Sequence, residues 1–241
     1  MTTNENVEVT LSELEHYKEE GAKGAIIGIS GGKDSTVAAM LCKKVFGKNV
    51  LGVLMPNGLQ TDIDDSYAIV KKLDIDYTVV NITDAYLGLL DSIDQKYNIT
   101  AKAKTNIPPR IRMTTLYAIG QTLGYRVIGT GNASEGYIGW CTKWGDMACD
   151  YNPLCKLTCT EVIEVGKVLA KEFGLDEKYI VKTPSDGLCG HSDEYSFGFT
   201  YAQLDQYIQT GTSGNAEIDA KIKNMHEATE HKRHLPSDRE W

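Results

Sequence analysis

No stretch of this 241-residue chain approaches the ~18 consecutive apolar residues that a bilayer-spanning helix requires. Its start, MTTNENVEVT, has neither the basic opening nor the apolar run of a signal peptide. Membrane and secreted classes are thereby excluded, and a cytoplasmic protein is expected. Basic residues are in deficit, with 25 Lys and Arg against 33 Asp and Glu and a formal net charge of −8. A nucleic-acid surface wants a basic face, so that class is set aside as well. A small anionic ligand is not excluded, because a few local cations and backbone amides can hold one. There is also no Cys-x-x-Cys pair. Cys141, Cys149, Cys155 and Cys159 crowd together at spacings that do not indicate zinc, and in a cytoplasmic protein the thiols are expected to be free. Repeats are lacking, as is any linker rich in Pro, Gly or Ser. A single domain over 1–241 is expected, with residues 1–6 disordered.

What is present is an alternation of strands and helices. Apolar spacing predicts helices over 7–20, 34–46, 61–73, 83–97, 106–123, 158–173, 201–208 and 216–231. Short apolar runs predict strands over 25–30, 49–56, 76–82 and 126–130. Thr61 is a candidate N-cap, and Pro108 and Pro109 fall in a first helical turn, where a missing N–H costs little. Strands alternating with helices of this length imply an α/β fold: a doubly wound, mainly parallel sheet with flanking helices. Residues 131–157 read as loop.

The sharpest local signal is AIIGISGGKDSTVAAM, a strand, a glycine turn and a helix start. Backbone N–H groups at such a turn point outward, and the helix dipole favours an anion. The spacing fits neither a Walker A loop nor a dinucleotide fingerprint. Asp34 beside a phosphate cradle would repel the ligand unless a divalent cation bridged them, so it predicts Mg2+ and a nucleotide polyphosphate. The structural alternative is a tight turn in which Asp34 only caps a helix.

Ser30-Gly31-Gly32-Lys33-Asp34-Ser35 resembles the Ser-Gly-Gly-x-Asp-Ser loop of the N-type ATP pyrophosphatases, which have a Rossmann-like, adenine nucleotide alpha-hydrolase-like fold. Five later blocks come in order: IPPRIRMTTLYAIGQ, GTGNASE, TKWGDMACDYNP, TPSDGL and EHKRHLP. Together with the loop they resemble the ammonia-dependent NAD synthetases. The resemblance implies that ATP is cradled by Gly28, Ile29, Ser30, Gly31, Gly32, Lys33, Asp34 and Ser35, with further contacts from Thr130 and Ser185. It implies Mg2+ on Asp34 and Glu135. It implies deamido-NAD contacts from Arg110, Lys143, Asp150, His231 and Lys232, with Asp34, Lys143 and Asp150 as the catalytic set. A fork-shaped guanidinium suits Arg110 to a diphosphate or carboxylate.

The implied reaction adenylates the nicotinate carboxylate of deamido-NAD, releasing pyrophosphate. Ammonia then displaces AMP to give NAD+. A homodimer is implied, with segments 136–153 and 183–200 as mobile active-site loops. The glutamine-using relatives carry an added glutaminase domain for which this chain has no room, so ammonia is expected directly. Three departures stand out, one being a segment from Thr160 to Gly174 about one helical turn longer than the pattern. Many relatives have Lys at the position of Cys159 and Arg at that of Leu54; Lys156 or Lys33 is a candidate replacement for the first. Two other readings are an enzyme of the same superfamily with a different acceptor and a nucleotide-binding sensor without catalysis. A dehydrogenase fails on the loop pattern.

Overall fold

The computed structural model describes residues 1–58, 63–182 and 192–234. Four parallel strands form its sheet, β1 (Ala25–Gly28), β2 (Val50–Leu54), β3 (Asp76–Val79) and β4 (Arg126–Val127), in the order β3-β2-β1-β4. β1 pairs with β2 from Ala25↔Val50 to Gly28↔Val53, and with β4 through Ala25↔Arg126 and Ile26↔Val127. The chain therefore winds outward from β1 in one direction and then crosses back to place β4 on its other side. Such a switch point opens a crevice at the C-terminal ends of the two strands.

Successive side chains of a strand face opposite ways, and β1 shows the consequence. Ile27 joins Leu14, Met40, Leu41, Val162, Leu169 and Ile180 in one core. Its neighbour Ile26 joins Val53, Ile82 and Val127 in another. Both faces are covered, which is why β1 and β2 read as unbroken apolar runs. The first core lies under α1 (Thr3–Glu19), α2 (Lys33–Phe46), α3 (Ile63–Lys72), α8 (Cys159–Phe173) and α9 (Lys178–Val181). The second is roofed by α6 (Ile107–Leu123), which packs beside α4 (Thr83–Asp94) and α5 (Ala101–Thr105). A third cluster, around Ile138, Phe197, Tyr201, Leu204 and Ile222, unites α7 (Ala133–Ile138), α10 (Asp193–Phe197), α11 (Tyr201–Thr210) and α12 (Ala216–Ala228). A 3-10 turn, Glu230–Lys232, follows α12.

The expected α/β architecture and its parallel sheet are present. Several boundaries differ, for local reasons. α1 begins at Thr3 rather than Val7, because Thr2 and Glu5 form a capping box and Asn6 is buried. β4 is only Arg126–Val127, continued by a parallel bridge from Ile128 to Tyr151. The stretch expected as loop after residue 130 contains α7. Thr61 lies outside the described residues.

Candidate active site

At the end of β1 the chain turns through Gly31, whose φ of +82° favours glycine, and enters α2 with Gly32 as N-cap. Gly32 has no side chain to offer as a cap, so the first N–H groups of α2 face the turn. The loop is braced from within. Ser30 N–H donates to Ser35 Oγ at 3.3 Å, Gly32 N–H donates to Ser30 Oγ at 3.3 Å, and Thr36 Oγ1 donates to Gly32 O at 2.8 Å. Ile29 buries its side chain in the core and donates its N–H to Val53 O, so Ile29 can offer a ligand only backbone. Thr130 follows β4 across the crevice. Its neighbours are pinned, Gly129 N–H to Tyr151 O at 2.8 Å and Gly131 O by Asn152 Nδ2 at 2.9 Å.

Asp34 and Glu135 belong to motifs about a hundred residues apart, and the fold brings them to one another through Asn132. Asn132 Nδ2 donates to Asp34 Oδ1 at 3.1 Å, while its backbone N–H donates to Glu135 Oε2 at 3.1 Å and its Oδ1 accepts from Glu135 N–H at 3.0 Å. Asn132 is thus both the N-cap of α7 and the strut between two carboxylates. Burial, followed by the nearby Asp34, pushes the Glu135 carboxyl up to about 8. Two carboxylates held this close suit a hard divalent cation, which binds through one or two carboxylates plus substrate phosphates. Among the described residues no group of three or more His, Cys, Asp or Glu is placed to hold a metal ion by itself.

Lys33 completes this cluster. It is 3% exposed, and its Nζ donates to Asp34 Oδ2 at 2.7 Å. Burial alone would lower its pKa, but Asp34, Glu135 and Cys159 outweigh that and hold it above the usual lysine value. The Cys159 thiol, pushed up to about 12 by burial, is drawn back somewhat by Lys33. Lys33 is therefore the cation beside Cys159. Lys156 pairs instead with Glu13 at 2.7 Å on the surface. Leu54 is buried in the core, and Arg112 brings a guanidinium to the next residue, its Nε donating to Met55 O at 3.0 Å.

The residues expected to meet the second substrate fall into two places. Arg110 Nε donates to Lys143 O at 3.2 Å, and Lys143 Nζ donates to His231 O. Lys232 Nζ donates to Gly139 O and Cys141 O at 2.7 and 2.6 Å. Arg110, Lys143 and His231 are thus linked in series through backbone carbonyls, and Lys232 follows His231 in the chain. Asp150 is anchored elsewhere, accepting from Val127 N–H at 2.8 Å and from Tyr117 OH at 3.3 Å. Ser185 lies outside the described residues, as does part of the 183–200 segment.

Sequence reasoning missed three supporting residues. Asn132 was legible, since Asn132-x-x-Glu135 is a capping-box pattern. Arg233 grips the C-terminal end of α7, donating to Gly136 O and Tyr137 O at 3.3 and 3.0 Å. Asp205, buried on α11, accepts from Ser134 Oγ, from Thr160 N–H at 2.8 Å and from Thr160 Oγ1 at 2.6 Å. Ser134 Oγ accepts in turn from Cys159 N–H at 2.9 Å. α7, α8 and α11 are therefore joined by one buried polar knot.

Residues 7–236 match the family model described as NAD synthase. The chain is 42% identical over 226 residues to the NH3-dependent NAD+ synthetase of Carboxydothermus hydrogenoformans, covering 92% of this chain and 91% of that one. It is 40% identical over 223 residues to that of Finegoldia magna, covering 91% and 88%. Among solved structures it resembles the NMN synthetase of Francisella tularensis, with a TM-score of 0.91, 33% identity and full coverage of both chains. The NH3-dependent NAD synthetase of Campylobacter jejuni gives a TM-score of 0.80 at 26% identity, again with full coverage. The glutamine-dependent NAD+ synthetase of Acinetobacter baumannii shares the fold, with a TM-score of 0.72 at 22% identity; the match covers 99% of this chain but 47% of that one.

Proposed function

The chain belongs to the NAD synthase family, and from that premise we propose that it amidates deamido-NAD with ammonia at the expense of ATP, giving NAD+, AMP and pyrophosphate. One observation carries the reading. The glycine turn before α2 opens beside Asp34 and Glu135, which Asn132 ties into a single pair. That arrangement offers backbone N–H groups to phosphate oxygens and two carboxylates to a cation.

In this reading the turn from Gly28 to Ser35 and Thr130 hold ATP across the crevice between β1 and β4. Asp34 and Glu135 would hold Mg2+. When bound, the metal supplies positive charge that favours departure of pyrophosphate. The N–H groups of α2 stabilise the same charge without having to reorganise. Arg110, Lys143, His231 and Lys232 present the second substrate. The protein's work is positioning and charge stabilisation, so no covalent nucleophile is needed. Cys159, buried with its thiol pushed up to about 12, is unsuited to that role. Asp150 reaches the dinucleotide from the side of α6, where Tyr117 OH holds it. We place the enzyme in the cytoplasm as a homodimer, as the family resemblance implies; no helix among the described residues is long and apolar enough to cross a membrane.

A second reading is favoured by the TM-score of 0.91 to the Francisella NMN synthetase: the acceptor is a nicotinic acid mononucleotide rather than the dinucleotide. Both readings share the adenylation chemistry. The test offers each acceptor separately with MgATP and ammonium at mildly alkaline pH, where some ammonia is unprotonated. Amide product, AMP and pyrophosphate in equal amounts with deamido-NAD, at a higher kcat/KM than with the mononucleotide, supports the first reading. The reverse ranking supports the second. ATP binding with neither acceptor amidated refutes both.

A further inference from the structure

Lysine is seldom fully buried unless paired, and at the first position of a helix its charge opposes the dipole. Lys33, the first residue of α2 at 3% exposure, opposes the dipole and is buried with a partner. Its partner is Asp34 Oδ2, at 2.7 Å, and the Tyr201 ring of α11 stands 5.6 Å from its Nζ. Tyr201 is itself fixed, its OH donating to Asp193 Oδ2 at 3.0 Å. The ammonium is therefore enclosed by α2, α8 and α11.

Both oxygens of Asp34 are engaged, Oδ1 by Asn132 and Oδ2 by Lys33. Each oxygen keeps a second lone pair, but a divalent cation on Oδ2 would meet the Lys33 ammonium 2.7 Å from that oxygen, and the two positive charges repel in a buried place. Asn132 is 2% exposed and held at its far side by the cap it makes with Glu135. Lys33 reaches its oxygen on a flexible four-carbon stem that can swing away. The lysine is the partner that can leave.

We propose that Lys33 is a resident counter-ion of Asp34, which neutralises that carboxylate before loading and gives up Asp34 Oδ2 to the divalent cation when ATP binds. The inference rests on the reading of Asp34 and Glu135 as metal-binding carboxylates. The released ammonium then has the ATP phosphates as its nearest new anions, at the start of its own helix. It supplies there the positive charge that Cys159, beside it, cannot. One side chain thus serves the unloaded site as a substitute for metal and the loaded site as a phosphate contact.

The experiment measures Mn2+ binding by the paramagnetic resonance of the free ion, on nucleotide-free protein and on protein saturated with α,β-methylene ATP. Lys33→Met should bind Mn2+ about tenfold or more tightly than wild type when nucleotide is absent, because the competing charge is gone. Its thermal midpoint should rise with added Mn2+ while that of wild type stays nearly still, and its affinity for the analogue should fall. Equal or weaker Mn2+ binding by nucleotide-free Lys33→Met overturns the proposal. Asp34→Asn separates the two levels of the argument. If that variant binds Mn2+ as well as wild type with the analogue present, the carboxylate reading fails. If it loses Mn2+ while Lys33→Met gains nothing, only the counter-ion proposal fails. Should Lys33→Met not fold, Lys33→Gln is read the same way; recovery of either by Mn2+ during refolding supports the proposal, and failure of both with Mn2+ present overturns it.

Discussion

Asp205 carries three hydrogen bonds that hold together the helix bearing Glu135, the helix bearing Cys159 and the helix bearing Tyr201. Asp205→Ala removes the acceptor from Ser134 Oγ, Thr160 N–H and Thr160 Oγ1 in a place where Asp205 itself is 3% exposed. Each buried donor left unsatisfied costs about 1–3 kcal/mol. Water entering the vacated space recovers part of that, so the loss should be roughly 3–5 kcal/mol out of a total stability of about 5–15. Asp205→Asn keeps one acceptor oxygen for Thr160 and turns its amide toward Ser134 Oγ, which leaves one hydroxyl proton without a home; about 1–2 kcal/mol is expected. The surface provides a control. Asp219 also accepts three bonds, from Ser213 N–H, Ser213 Oγ and Thr212 Oγ1, but with water all around, so Asp219→Ala should cost clearly less. The assay is equilibrium urea unfolding, comparing midpoints at unchanged slope. A loss below about 1 kcal/mol for Asp205→Ala, at the wild-type slope, would refute the claim that this knot holds α7 in place.

Asn132→Ala should cost about 1 kcal/mol as a lost helix cap yet reduce kcat far more than that loss of stability implies, because Asp34 also loses its strut; steady-state kinetics beside a thermal melt separates the two effects. Gly139 has φ +65°, and a Cβ there would lie 2.3 Å from Thr229 Cβ, so Gly139→Ala should destabilise by roughly 2–4 kcal/mol. Adding Thr229→Gly should restore only the steric part, as read from urea midpoints. The Glu230 carboxyl is held down at about 2 by Arg233 and then His234. Its folded value is below the unfolded 4.5, so its contribution is present above that pH and is lost as the pH falls toward about 2. Glu230→Gln should flatten this stretch of the acid limb in thermal melts; an unchanged limb would show that the Arg233 contact contributes nothing.

The sheet was legible because β1 and β2 are buried on both faces and carry no polar residue that could blur the apolar run. The glycine turn was legible for a similar reason: Gly31 needs a conformation that few residues tolerate, and Asp34 is chemically out of place beside phosphate unless a cation joins it. What escaped was short or depended on distance. α7 has six residues, too few for helical periodicity to register, and only its capping box announced it. α9 and α10 are shorter still, at four and five residues. Lys33 was noticed as a charge in a loop, but its burial against Cys159 arises from packing between α2, α8 and α11, which no spacing in the sequence encodes. The resemblance groups Arg110, Lys143, His231, Lys232 and Asp150; in the fold Arg110 bonds the Lys143 carbonyl, Lys143 bonds the His231 carbonyl, and Asp150 accepts from Val127 N–H and Tyr117 OH, contacts between distant segments that no spacing encodes.

Arg233 binds carbonyls of α7 that precede it by 97 and 96 residues. On the ribosome the glycine turn, the sheet and Glu135 all emerge long before the segment that secures them. α7 must therefore wait about a hundred residues for the guanidinium that grips its end, a contact that no local folding of the earlier segments can supply.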